Sequence, residues 1–78
     1  MFEEFKNLLV SELNIENPDD ITMEASLAND LSINSLELAD LVLLCEEKFN
    51  IEIDEDNLRE LITVGDVVNY LEKKVGNN

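Results

Sequence analysis

Seventy-eight residues, 45% of them apolar, with one Pro and two Gly, have the composition of one compact, mostly helical domain; a chain this short hides only about 60% of the surface its unfolded state exposes, so a large buried catalytic cleft is not expected. Nineteen acids against five bases leave a net charge of -14, which repels nucleic acid and anionic lipid and favours partners that carry Lys and Arg. A lone Cys45 forms no internal disulfide. The lack of His removes zinc sites of the Cys/His kind and nucleophile–His catalysis, and no basic-then-apolar leader or membrane-length apolar run is present, so a cytoplasmic protein is expected.

Taken in order, residues 2–13 place Phe2, Phe5, Leu9 and Leu13 near one face, with Leu8 and Val10 beside it and Glu3, Glu4, Lys6 and Glu12 elsewhere; this spacing predicts the first helix, with both Phe residues in the core. From Asn14 to Ile33 no period is sustained, and Asn17-Pro18-Asp19-Asp20 is a turn signal, so a long loop is expected, pinned by Ile15, Ile21, Leu27, Leu31 and Ile33. Asp19, Asp20, Glu24 and Asp30 lack the spacing of a calcium loop and are expected to be solvated, with no metal site.

At the end of that loop Asn34 has the chemistry of an N-cap, and Glu37 three residues on completes a capping box, so the second helix begins at Ser35 and runs to about Phe49. A hydroxyl at the first helical position faces solvent. A phosphate carried on it would lie at the positive end of the helix dipole beside unpaired N–H groups. Stepping by 100° puts Leu38, Leu41, Val42, Cys45 and Phe49 on an inward arc, with Cys45 an inert buried thiol. Leu36, Asp40, Leu43 and Glu47 line the opposite arc, flanked by Glu37 and Ala39. An outward mixture of apolar and acidic groups suits transient docking: carboxylates steer a basic partner and the leucines supply buried contact.

Asn50-Ile51-Glu52-Ile53-Asp54 alternates like a strand, but it is short and has no second strand to pair with, so it reads as an extended linker. Asp54, Glu55 and Asp56 then open a short helix through about Leu61, with Leu58, Leu61 and Ile62 inward. Thr63 and Asp66 form a second capping box. It opens a last helix in which Val64, Val67, Val68, Leu71 and Val75 recur at core spacing, with Lys73 and Lys74 near the end and Gly76-Asn77-Asn78 closing it.

Asp30-Leu31, Ser35-Leu36-Glu37-Leu38, the run from Glu46 to Ile53 and the run from Thr63 to Leu71, in this order on a small acidic chain, resemble the acyl carrier protein family over essentially the whole length. The resemblance implies an all-α four-helix bundle with a long first loop and a short third helix, residues 1–78 forming a single carrier domain. It implies that Ser35 bears 4'-phosphopantetheine, installed by a phosphopantetheinyl transferase that uses magnesium and coenzyme A. The arm then carries acyl intermediates as thioesters between enzymes of fatty-acid biosynthesis. The chain itself would be no enzyme and would supply no catalytic residue, and a monomer docking on enzymes with basic patches is expected. Leu36, Glu37, Ala39, Asp40, Leu43, Glu46 and Glu47 match the family's recognition helix. Leu38, Leu41, Val42, Cys45, Ile53, Ile62, Val67, Val68 and Leu71 look like the walls that in family members part to shelter an acyl chain.

Two positions beside the serine depart from the family pattern: Asn34 stands where the family has Asp, and Ser32 where it commonly has Gly. Asn keeps the capping oxygen but loses a charge that transferases read through a basic residue. A carrier for a specialised polyketide, lipid or other thioester pathway is therefore an alternative to fatty-acid biosynthesis, and an acidic helical adaptor that is never loaded is another.

Overall fold

A computed structural model describes residues 1–76. Its regular elements, all helical among these residues, are α1 (Phe2–Leu13), α2 (Ser35–Phe49) and α3 (Val64–Gly76), with two 3₁₀ turns at Pro18–Asp20 and Glu55–Glu60. Glu3 and Glu4 sit in the first turn of α1, where the helix dipole favours anions, and Asn14 ends the helix in the left-handed conformation at φ 52. Asn50 does the same for α2 at φ 55. Asn is one of the few residues that takes this conformation routinely.

α1 packs against both α2 and α3. The core unites Phe5, Leu8 and Leu9 of α1, Leu41 and Cys45 of α2, and Val64, Val67, Val68 and Leu71 of α3. Ile21, Ala25, Leu27, Leu31 and Ile33 of the long loop are buried with them, and Phe2, Val10, Leu13, Ile15, Leu38 and Phe49 pack at the margin. The loop is thus held down by its apolar residues, as their scatter predicts, and its polar backbone is satisfied by a suture to the start of α3. Leu27 N donates to Ile62 O at 2.9 Å, Val64 N to Ala25 O at 3.0 Å and Gly65 N to Met23 O at 2.8 Å. The approach is so close that a Cβ at Gly65 would lie 2.8 Å from the Met23 carbonyl oxygen, which explains glycine inside a helix. The loop turns on Ser26 and Asp30, with Ser26 N donating to Asp30 Oδ2 at 2.7 Å and Asn29 N to Ser26 Oγ at 3.1 Å.

Four expectations are corrected. The short third helix is a 3₁₀ turn, so the described residues hold three α-helices rather than a bundle of four. Six residues close too few i→i+4 bonds to offset helix nucleation, Asp54 makes no side-chain cap, and the turn closes by tighter bonds such as Asn57 N to Asp54 O at 3.0 Å. Ile62 is 60% exposed rather than inward, because its N–H and carbonyl are both held by neighbours and turn the side chain out. On α2 the inward face is wider than the expected arc: Leu44 packs on the core, whereas Val42 lies on a surface groove. Val75, in the last turn of α3, sits at the exposed rim, and Gly76 falls inside the helix; Asn77 and Asn78 lie outside the described residues.

Candidate functional site

Everything that fixes the start of α2 is local. Asn34 is extended (φ -85, ψ 177), its Oδ1 accepts from Glu37 N at 2.8 Å, and Glu37 Oε1 accepts from Asn34 N at 3.1 Å. Two backbone donors that the helix leaves orphaned are satisfied, and Ser35 becomes the first helical residue with its side chain exposed. Beside it lies a groove of about 260 Å³ between the long loop, α2 and the residues before α3, lined by Ser26, Leu27, Ala28, Asn29, Ile33, Asn34, Ser35, Leu38, Leu61 and Ile62. Ile33 and Leu38 occupy the positions of a hydrophobic staple around the cap. That pattern was readable in the sequence and would have placed both at this site.

α2 carries the outward stripe that the sequence predicts. Leu36 and Leu43 are 79% and 59% exposed, and Ala39, Asp40 and Glu47 are exposed with them. Glu37 and Glu46 belong to the same stretch but are half-buried and engaged within the chain. Glu37 closes the cap, while Glu46 Oε2 accepts from Ile53 N at 2.8 Å. The open acids of the face are therefore Asp40 and Glu47, neither of which has a basic partner among the described residues. A second groove, of about 280 Å³ and lined by Ala39, Val42, Leu43, Glu46, Ile53 and Leu58, runs along this side of α2.

The residues expected to wall an acyl chain divide three ways. Leu41, Cys45, Val67, Val68 and Leu71 are buried in the core, Leu38 and Ile62 line the groove at Ser35, and Val42 and Ile53 line the second groove. Burial pushes the Cys45 thiol up to about 12, and the Glu46 carboxylate adds to the effect, so the thiol stays protonated and inert at neutral pH. No cluster of three or more potential metal ligands occurs among the described residues. Among the described residues, no helix is long and apolar enough to cross a membrane.

An exposed hydroxyl at a helix start, beside an apolar groove and an acidic face, is chemically suited to carry a tethered group through a phosphodiester. Residues 3–71 match the family described as phosphopantetheine attachment site. An acyl carrier protein of Wolinella succinogenes is 42% identical over 72 residues, covering 92% of this chain and 93% of its own length. One from Thermotoga maritima is 38% identical over 76 residues, covering 97% and 93%, and one from Campylobacter fetus is 39% identical over 72 residues, covering 92% of each.

The chain belongs to the acyl carrier protein family. As an acyl carrier protein it carries acyl groups on phosphopantetheine and serves acyl-processing enzymes, rather than being an enzyme itself. When bound, the group supplies a terminal thiol that holds the acyl group as a thioester. The residues present fit it: a reachable hydroxyl, a helix start that favours an anion, and an apolar groove leading away.

Proposed function

We propose that Ser35 is the attachment residue, that residues 1–78 act as one monomeric carrier domain in the cytoplasm, and that its cargo is passed between enzymes of fatty-acid biosynthesis. The observation that carries this is the exposed Ser35 hydroxyl at the first position of α2, inside the stretch that matches a phosphopantetheine attachment family. The fold's part is to present that hydroxyl rigidly. The capping box fixes the helix start, while the tether leaves the thioester free to reach whichever active site has docked. The 3₁₀ turn at Glu55–Glu60 takes the place of the third helix in the expected four-helix bundle.

Docking is assigned to the exposed edge of α2. Asp40 and Glu47, without a basic partner among the described residues, are about two turns apart on a helix, with Leu43 between them. Basic patches on the transferase and on acyl-processing enzymes would be steered by the acids and seated on Leu36 and Leu43. Glu37 and Glu46 add charge to the face while their carboxylates serve the fold. Asp40→Lys and Glu47→Lys should each slow acquisition of the group by a basic transferase several-fold with helical content unchanged, and Leu43→Ser should weaken docking. Loading rates unchanged in all three variants would contradict this assignment.

A further inference from the structure

One donor at the start of α2 is used neither by the fold nor by the docking face. Asn34 Oδ1 is committed to Glu37 N at 2.8 Å, and the return bond from Asn34 N to Glu37 Oε1 closes the box, so the orientation of the carboxamide is fixed. Its other edge, Nδ2–H₂, has no partner among the described residues; the side chain is exposed and borders the same groove as Ser35. Aspartate or serine would cap the helix about as well, so capping alone does not require an amide here. What an amide adds is a neutral donor pointing away from the cap, next to the residue that bears the arm.

We propose that Asn34 is a positioning residue for the phosphodiester, its Nδ2–H donating to a phosphate oxygen on Ser35 and directing the first bonds of the arm along the Ser35 groove. The role rests on Ser35 being the attachment residue. Electrostatics favour it in this chain. The phosphodiester adds a negative charge to a molecule already at -14, and the Glu37 carboxylate is held in the same capping box. A neutral donor at Asn34 keeps a further anion away from the phosphate and offers it a hydrogen bond.

The test compares apo and loaded forms of the wild type, Asn34→Asp and Asn34→Ser, each of which keeps a capping oxygen, with loading verified by intact mass. On loading, the Asn34 side-chain amide resonances should move and exchange more slowly. The change in melting temperature on loading should be more favourable in the wild type than in Asn34→Asp by about 2–5 °C at low salt, with Asn34→Ser between them. An unmoved Asn34 amide in a fully loaded chain, or an Asn34→Ser variant that matches the wild type, overturns the positioning role alone. A wild-type chain that gains no group while Asn34→Asp gains one overturns this role alone; if neither gains a group, the Ser35 assignment falls and this role with it.

Discussion

Ser32 has φ 56, the left-handed conformation that a residue with a Cβ adopts at a cost and that glycine adopts freely. It lies two residues before the cap, on an exposed stretch of the loop, and it is the position where the family commonly has Gly. Ser32→Gly is expected to stabilise the fold by about 0.5–1 kcal/mol, read as a rise of several degrees in Tm; a lower Tm would show that the serine side chain contributes more than the strain removes. Cys45 makes a second prediction. Its folded pKa of about 12 lies above the ordinary 9, so the stability linked to its proton is complete below pH 9 and is lost as pH rises toward 12. At pH 8 a thiol reagent should therefore label the native chain at least 100-fold more slowly than the chain in urea, and comparable rates would contradict the burial. The residues at the helix start were legible in the sequence because a capping box is made by neighbours in the chain. Ile62 was not, since its direction is set by a loop some 35 residues earlier that takes its carbonyl. Ser32 stood out as a departure from the family, but nothing local announced its positive φ.

The three α-helices follow from apolar period and caps. The 3₁₀ turn differs from the helix expected there because, at six residues, tertiary support rather than pattern decides the geometry. That support includes Asn57 Nδ2 donating to the Tyr70 hydroxyl at 3.1 Å, and the linker that leads into the turn is held by Glu46. On sequence grounds it is one more acid of an acidic helix; in the structure its carboxylate is aimed at Ile53 N across seven residues and ties the linker after α2 back onto the helix. Glu46→Ala should leave that half-buried N–H without its charged acceptor and cost about 1–3 kcal/mol. Glu47→Ala, one residue on and exposed, should stay within about 0.5 kcal/mol of the wild type. Equal denaturant midpoints for the two variants would mean that the tether contributes nothing.

Over the described residues, carboxylates outnumber the cations that could pair with them. The ion pair described, between the Met1 ammonium and Glu4 at 3.7 Å, lies at one end of α1 and neutralises little of a net charge of -14. Self-repulsion of this size weakens the compact state and is screened by salt, so Tm should rise by several degrees between low and moderate ionic strength, and further with divalent cations. A Tm that does not move would show that the charges are spaced too widely to matter. The charge fits the docking proposed for α2, because an acidic surface speeds encounter with a basic one, with Leu36 and Leu43 exposed to supply apolar contact. Composition made the acidic surface plain, but the two grooves were out of reach, since each is assembled from segments distant in the chain.

The central claim is that Ser35 bears the phosphopantetheine arm. The direct measurement is intact mass after incubation with a promiscuous phosphopantetheinyl transferase, magnesium and coenzyme A, run on the wild type beside Ser35→Ala with both shown to be helical. A gain of one phosphopantetheine in the wild type and none in the variant is the expected result. Equal gain in both would place the arm on another residue, and no gain in either, with Asn34→Asp also unloaded, would contradict the account.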